Sequence, residues 1–292
     1  MQSLAEGLPV AFQLWVFLVG AVVGSFLNVV IARVPKGESI VSPGSRCPNC
    51  KSAIAWYDNI PLLSWLWLRG KCRRCGQPIS ARYPMVELLV ALLAVAVVRQ
   101  FGPTLAAAGM FALAAALVAL AYIDLDTWLL PHQITWPLLA VGLVSPLWNR
   151  SVSWASSAIG AAAGFAFFAA IALFGERVLK RETMGWGDVW LLSGIGAWLG
   201  WQALFPVVML SALQGSIIGI VMLLVAPRAA EPEKEKENEK EKEKENEQDE
   251  DWVPPKHAVP YGPFLALAAL EQLLAGHRLV AAWDFLVRRF FG

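Results

Sequence analysis

Long apolar runs separated by short polar segments are the dominant pattern of this chain. About 20 apolar residues suffice to cross a bilayer as a helix. Eight runs approach or reach that length, at roughly 10–33, 84–101, 104–123, 130–148, 154–174, 188–202, 204–226 and 259–276. The pattern therefore predicts an all-α polytopic membrane protein with about eight transmembrane helices. The first run has no basic leader, so we interpret it as a retained helix rather than a signal peptide.

The composition supports this interpretation. Hydrophobic residues make up 57% of the 292 residues, more than a soluble domain of this size carries. The 14 Trp residues are typical of a protein with many membrane interfaces. The net charge of +1 does not indicate a nucleic-acid partner, and membrane lipid is the expected surrounding of the chain.

The basic residues predict the orientation of the helices. Nineteen of the 24 Lys and Arg residues lie in three segments, 33–83, 175–187 and 227–258. Eight helices would put these three segments on one side of the membrane. Because basic loops stay in the cytoplasm, this side is predicted to be cytoplasmic and the N-terminus to lie outside.

The distribution of acidic residues marks a charged segment near the C-terminus of the chain. Residues 231–251 hold 12 of the 23 acids in a Glu- and Lys-rich run, which cannot bury apolar surface and is predicted to be a solvated linker. The predicted organisation is a first helix at 1–33, a cytoplasmic domain at 34–83, helices two to seven at 84–228, a charged linker at 229–257, and a last helix with a tail at 258–292.

All four cysteines lie in the predicted cytoplasmic domain. They form the pairs Cys47-Pro-Asn-Cys50 and Cys72-Arg-Arg-Cys75. Two such pairs supply the four thiolates of a closed tetrahedral zinc site, which predicts a structural zinc and a zinc-ribbon-like fold. Disulfides and a redox pair are the alternatives, but the cytosol keeps thiols reduced.

Two acids stand at the predicted cytoplasmic ends of membrane helices. Asp124 ends the third helix and Asp188 begins the sixth, flanked by Gly185 and Gly187. Acids beside apolar runs are costly and indicate function. Two adjacent carboxyl groups can divide the roles of general base and general acid, as peptide hydrolysis requires. The dipole of the sixth helix favours Asp188 as the base, and Asp126 is a candidate supporting residue.

Other polar or small residues have structural explanations. Glu87 is predicted to lie in the first turn of the second helix, where an acid complements the helix dipole, although a role in recognition is the alternative. Asn28 is predicted to make a hydrogen bond between helices. Small-residue spacings predict close helix packing, at Gly20 with Gly24 and at Gly160 with Gly164.

Ordered motifs along nearly the whole chain resemble the type IV prepilin peptidases, within the GxGD group of membrane aspartic proteases. The motifs are Gly24-Ser-Phe-Leu-Asn28-Val-Val-Ile-Ala-Arg33-Val-Pro35, Arg46-Cys-Pro-Asn-Cys50, Asn59-Ile-Pro61, Gly70-Lys-Cys-Arg-Arg-Cys75, Tyr83-Pro-Met-Val-Glu87, the segment around Asp124, Gly185-Trp-Gly-Asp188 and Tyr261-Gly-Pro-Phe264.

This resemblance implies that Asp124 and Asp188 are the catalytic pair. It also implies cleavage of basic leaders from prepilins or type II secretion pseudopilins, followed by methylation of the new N-terminus with S-adenosylmethionine. Two positions depart from the family pattern: Trp190 stands where the family usually has Lys, and His132 where it usually has Asp. At these two positions the contacts with substrate are expected to differ from those of the family. The two acids of the catalytic pair are the same as in the family.

Two other classes of protein remain open from the residues alone. A proton-coupled transporter would spread its acids through the bilayer, whereas these acids cluster at one face. A scaffold that uses only the zinc domain would leave Gly185-Trp-Gly-Asp188 unexplained.

Overall fold

A computed structural model of the chain describes residues 8–180, 184–225 and 259–291. The predicted linker at 229–257 lies outside these residues. Nine α-helices are described: α1 Val10–Arg33, α2 Leu63–Trp67, α3 Arg82–Phe101, α4 Leu105–Thr127, α5 His132–Val144, α6 Trp154–Phe174, α7 Trp186–Leu199, α8 Leu204–Val225 and α9 Gly262–Phe291.

The all-α prediction is confirmed. Within the described ranges the chain forms helices and two isolated β-bridges, at Arg46 with Ala53 and at Lys71 with Pro78, and no strand. Each of the eight predicted apolar runs corresponds to one helix, and the short α2 lies between the first two of them. Most helix boundaries differ from the predicted ones by a few residues, but α9 continues to Phe291, 15 residues beyond the predicted end at 276.

Five of these helices are long and apolar enough to cross a membrane. The helices α5, α7 and the apolar first half of α9 are shorter. With its 14 residues, α7 measures about 21 Å, less than the roughly 30 Å of a hydrocarbon core. The helix α7 is therefore too short to cross a hydrocarbon core by itself, and its first turn carries Asp188.

The helices approach one another closely where glycines face a neighbouring backbone. A Cβ at Gly24 would lie 2.7 Å from the Cα of Glu87, and this brings α1 against α3. A Cβ at Gly160 would overlap the carbonyl oxygen of Gly196, and this brings α6 against α7. The predicted packing role of these spacings agrees with both contacts.

The helix α4 occupies the centre of the bundle. Leu113, Leu117, Leu120 and Ile123 have no exposed surface, because α1, α3 and α9 pack around this helix. In a membrane protein, such contacts hold helices together by close packing. The end of α4, where Asp124 lies, is therefore a fixed part of the molecule.

Side-chain hydrogen bonds to backbone carbonyls hold α7 between α5 and α6. The indole Nε1 of Trp198 donates to the carbonyl of Leu138 on α5 at 2.8 Å. The hydroxyl of Ser193 donates to the carbonyl of Ala161 on α6 at 2.9 Å. Buried polar groups with partners of this kind cost little, so α7 is a rigid support for Asp188.

Candidate active site

The last turn of α4 and the first turn of α7 place two acids next to each other. Asp124 is 5% exposed and Asp188 is half-buried. Their carboxyl groups are close enough for the charge of Asp124 to act on Asp188. Two acids on different helices, 64 positions apart in the sequence, thus share one site.

The first residue of α9 contacts Asp124 directly. The backbone N–H of Gly262 donates a hydrogen bond to the Asp124 carboxylate. A Cβ at position 262 would lie 2.5 Å from Oδ2 and 3.1 Å from Cγ of Asp124. Only glycine therefore allows this backbone to reach the acid. Sequence reasoning gave Gly262 no role, since it occurred only within a family motif.

Asp188 has a different environment. Its Oδ1 atom is enclosed and has no hydrogen-bond partner among the described residues. Its Oδ2 atom faces Gly185, where an added Cβ would come no closer than 3.7 Å. The absence of a side chain at position 185 leaves space beside the carboxyl group. Backbone without side chains is a common way to let a ligand approach closely.

The second glycine of the motif has a packing role. A Cβ at Gly187 would lie 2.7 Å from the Cβ of Leu130, in the turn between α4 and α5. Gly187 therefore lets the start of α7 approach the end of α4. The two glycines that precede Asp188 have different roles. Gly187 allows close packing of the helices, and Gly185 leaves space beside the carboxyl group of Asp188.

Tyr261, the residue before Gly262, lies between α8 and α6. The Tyr261 hydroxyl makes a short hydrogen bond with the hydroxyl of Ser211 on α8 and lies within electrostatic reach of Asp188. The ring of Tyr261 packs edge-to-face on Phe168, with centroids 5.9 Å apart. As with Gly262, the sequence alone gave this residue no role.

Asp126 forms an ion pair. One of its carboxylate oxygens lies 2.7 Å from Nη1 of Arg82 at the start of α3. The same guanidinium donates to the carbonyl of Tyr122 and lies 4.8 Å from the centre of the Tyr122 ring. Asp126, two residues after Asp124, thus links the end of α4 to the start of α3.

Glu87 lies elsewhere than predicted within its helix. Because α3 begins at Arg82, Glu87 is past the first turn, and the prediction of a first-turn acid is wrong. Its carboxylate is buried, accepts the backbone N–H of Leu62 at 2.8 Å, and is hydrogen-bonded to Ser25 on α1. Leu62 has a φ of 63°, an unfavourable angle for a leucine. Glu87 therefore fastens the segment between α1 and α3 to the membrane helices.

The two positions that depart from the family pattern belong to one aromatic cluster. The ring of His132 stacks on Trp136 with centroids 5.1 Å apart. Trp136 meets Trp190 edge-to-face at 6.0 Å, and Trp190 packs on Phe165 at 5.0 Å. His132 and Trp190 are therefore joined through Trp136, and both departures alter the same aromatic cluster.

The four cysteines form a candidate metal site. All four thiols are free, and their sulfur atoms lie within 4.8 Å of one another. The sulfur atoms of Cys47 and Cys75 are 3.8 Å apart. Tetrahedral zinc with Zn–S bonds of about 2.3 Å requires about 3.8 Å between sulfurs. The donor set and spacing therefore fit zinc.

Local hydrogen bonds favour the thiolate form of two of the four thiols, Cys50 and Cys72. The side chain and backbone of Ser52 lower the pKa of Cys50 to about 6. Backbone N–H groups of Cys75 and Arg74 lower the pKa of Cys72. Thiolates are the form that binds metal.

A cavity of about 210 Å³ with a mainly apolar surface lies between the cysteine-containing segment and the membrane helices. Its lining includes carboxylates, basic groups and aromatic rings, among them Glu87, Lys71, Arg46, Trp65 and Tyr83. Groups of both charges beside aromatic rings are typical of a site for a polar small molecule.

Replacing Gly262 with alanine is expected to lower the activity of the site about a hundredfold, because the new methyl group displaces the Asp124 carboxyl group. The matched control is Gly219→Ala on α8, where an added Cβ meets nothing within 4 Å. The measurement is the turnover of both variants alongside their melting temperatures. Equal activity in the two variants would contradict the close contact with Asp124.

The fold and the site together define a class: a multi-pass helical membrane protein with a pair of interacting acids at helix ends and a four-cysteine metal site. Comparison with protein families narrows this class. Residues 18–101 match the Bacterial Peptidase A24 N-terminal domain, and residues 111–220 match the Type IV leader peptidase family. The chain belongs to the type IV leader peptidase family.

Relatives match along nearly the whole chain. A protein of Myxococcus xanthus (strain DK1622) named prepilin leader peptidase/N-methyltransferase is 40% identical, covering 91% of this chain and 90% of its own length. A protein of Aeromonas hydrophila with the same name is also 40% identical, covering 94% of each chain. The protein of that name in Pseudomonas aeruginosa is 35% identical over the same share of each chain. No solved structure matches the chain.

Proposed function

We propose that this protein is an aspartic endopeptidase that removes the basic leader from type IV prepilins or type II secretion pseudopilins and then methylates the new N-terminus. The observation that carries the proposal is the meeting of Asp124 and Asp188 at the ends of α4 and α7. Family membership supports it, as do relatives named for both activities. Cleavage takes place at the cytoplasmic membrane face, with the cysteine-containing domain in the cytoplasm and the N-terminus outside.

The chemistry follows from two carboxyl groups of different protonation. The ionised carboxylate takes a proton from water while the water oxygen forms a bond to the scissile carbonyl carbon. The neutral carboxyl group gives its proton to the carbonyl oxygen. The carbon–nitrogen bond then breaks: the leaving nitrogen takes the proton held by the base, and one hydroxyl group of the tetrahedral intermediate returns its proton to the acid. The products are a leader carboxylate and a new N-terminal amine.

The hydrogen bonds distinguish the two acids. Asp124 accepts the N–H of Gly262, and such a bond favours the charged form of a carboxyl group. Asp188 has an enclosed oxygen without a donor in the described part of the chain, and such surroundings favour the neutral form. We therefore assign the base to Asp124 and the acid to Asp188, the reverse of the assignment from the helix dipole alone.

The space beside Gly185 would receive the substrate backbone. An extended peptide must come within bonding distance of both acids, and Gly185 leaves Oδ2 of Asp188 accessible. Asp126 and Glu87 support this arrangement indirectly: Asp126 holds the end of α4 through Arg82, and Glu87 holds the cytoplasmic segment through Leu62.

Zinc and S-adenosylmethionine bind at different sites in this proposal. Zinc at Cys47, Cys50, Cys72 and Cys75 leaves no open coordination position, so it is structural. S-adenosylmethionine supplies an electrophilic methyl group for the new amine. We propose that it binds in the cavity lined by Glu87, Lys71 and Trp65, which offers groups of both charges and an aromatic ring.

The test is an incubation of the purified protein with a prepilin and, separately, with a pseudopilin, followed by intact-mass measurement of the product. We expect loss of the leader, and a further gain of one methyl group only when S-adenosylmethionine is added. A protein carrying both Asp124→Asn and Asp188→Asn gives the background. Unchanged mass of both substrates with the wild-type protein would refute the peptidase proposal.

A further inference from the structure

The segment 56–68, which contains α2, has an inner and an outer face. The inner face lines the cavity beside α1 and consists of Leu62, Ser64, Trp65 and Leu68. The outer face consists of large apolar side chains that are more than half exposed: Trp56, Tyr57, Leu63, Leu66 and Trp67. Tyr57, Leu63 and Trp67 line one open groove, so these side chains form a continuous surface. An exposed apolar surface of this kind marks a contact with another protein or with a membrane.

The position of the segment along the bundle favours the membrane. The backbone N–H of Leu62 donates to the Glu87 carboxylate on α3 at 2.8 Å. Glu87 lies about 7.5 Å from the first residue of α3, measured along the helix. The whole of α3 is about 30 Å long, which is the thickness of a hydrocarbon core. Leu62 therefore lies beside the membrane helices and not beyond their ends.

The rest of the outer face stays near this level. The helix α2 begins at Leu63, directly after Leu62, and its five residues extend about 7.5 Å. On the opposite side of the segment, Ser25, Val29 and Ala32 of α1 line the same cavity as the inner face. The outer face is thus turned away from α1 at the depth where amphipathic segments lie in a bilayer, roughly 5–10 Å into the boundary between headgroups and acyl chains.

Basic side chains follow the outer face directly. Arg69, Lys71, Arg73 and Arg74 come after α2, and all four are exposed. Arg73 pairs with Asp58, whereas Arg69 and Arg74 have no ion-pair partner among the residues that the structure describes. Tryptophan and tyrosine are enriched at membrane interfaces, and basic side chains near the surface attract anionic lipids. An anionic membrane surface therefore matches both the apolar and the charged side chains.

We propose that the segment 56–68 is a membrane-interface anchor. Its outer face lies at the boundary between headgroups and acyl chains around the start of α3, and Arg69 and Arg74 bind anionic phospholipid headgroups. The anchor keeps the inner face, which is one wall of the cavity, against the membrane helices. This proposal requires only that the bundle spans a membrane, so it does not depend on the proposed peptidase function.

The main test places a photoreactive benzophenone side chain at position 67 of the full chain. The protein is reconstituted in nanodiscs of phosphatidylethanolamine and phosphatidylglycerol, irradiated, and analysed by intact mass. We expect the mass of one phospholipid to be added, with a yield about tenfold above that of the matched control. The control carries the same group at position 49, since Asn49 is exposed but lies outside the segment.

The masses of the adducts also test the charged part of the proposal. At position 67, phosphatidylglycerol adducts are expected to exceed the share of this lipid in the bilayer by about twofold or more. The double variant Arg69→Gln with Arg74→Gln is expected to abolish this excess. Arg150→Gln, an exposed arginine between α5 and α6, is the matched control and is expected to keep it.

The other occupants of the outer face give different products. Adducts that join two copies of the chain, adducts to a co-reconstituted prepilin in place of lipid, or equal lipid yields at positions 67 and 49 would overturn the anchor. Phosphatidylglycerol adducts at its bilayer share in the wild-type sequence would overturn the headgroup contact. If the photoreactive protein does not fold, Trp67→Phe decides the question. Brominated lipid is expected to quench the fluorescence that this variant loses, and unquenched Trp67 emission would refute the anchor.

Discussion

Replacing either Asp124 or Asp188 with asparagine is expected to reduce leader removal about a thousandfold or more, without lowering the melting temperature of the protein. Asparagine has nearly the shape of aspartate, and its amide oxygen can still accept the N–H of Gly262. What is lost is the ability to take up and return a proton. The activity therefore falls although the local structure is kept.

The stability result has a physical reason of its own. Two acids close together in a poorly hydrated place repel each other when both are charged, and burial penalises each charge. A neutral amide at one position removes that penalty. We expect each variant to melt at the wild-type temperature or higher in detergent, as is common when a strained functional site is neutralised. A fall in melting temperature with partial activity would indicate a structural role for that acid.

The double variant and an acid outside the pair complete this experiment. Residues that act as one unit lose activity non-additively, so Asp124→Asn with Asp188→Asn is expected to be no slower than either single variant. Asp126→Asn removes an exposed ion pair with Arg82, an interaction of about 0–1 kcal/mol. It is expected to keep activity within a few-fold of wild type. Equal losses at positions 126 and 188 would contradict the choice of Asp188.

The helices and the acid pair were accessible from the sequence because each depends on local rules. Apolar length predicts a membrane helix, so all eight runs were found. Helix order and the distribution of basic residues put Asp124 and Asp188 on the same side of the membrane before any coordinates were considered. The spacing of the four cysteines likewise predicted the cluster of sulfur atoms.

The remaining parts of the site depend on contacts between distant positions. Gly262 follows Asp124 by 138 residues, and only the packing of α9 on α4 brings its N–H to that carboxylate. The prediction put Glu87 in the first turn because it started the helix at Pro84. The helix α3 begins at Arg82, so Glu87 lies past its first turn. The link between His132 and Trp190 passes through Trp136, a contact that no spacing rule predicts.

The segment between α1 and α3 has little apolar interior apart from the sulfur cluster. Cys47, one of the four cysteines, is 1% exposed. In contrast, the large apolar side chains of Trp56 and Trp67 are more than 80% exposed and do not form a core. Domains of this size rarely fold on a hydrophobic core alone. The four thiolates and their metal are thus expected to supply most of the stability of this segment, and the bond from Leu62 to Glu87 ties it to the membrane helices.

Removing the metal is therefore expected to unfold this segment and leave the membrane helices intact. Structural zinc contributes roughly 10–16 kcal/mol of apparent binding free energy in zinc-finger peptides, as much as the whole stability of a folded domain, about 5–15 kcal/mol. Elemental analysis is expected to give one zinc per chain, and Cys72→Ser to abolish it. Amide exchange is expected to accelerate from Ser45 to Ile79 after chelation and to stay slow in α4 and α7. The control is Ser52→Ala, which removes a hydrogen bond to Cys50 but no ligand and should keep its zinc. Full zinc in Cys72→Ser, or unchanged exchange after chelation, would show that the sulfur cluster does not hold the segment together.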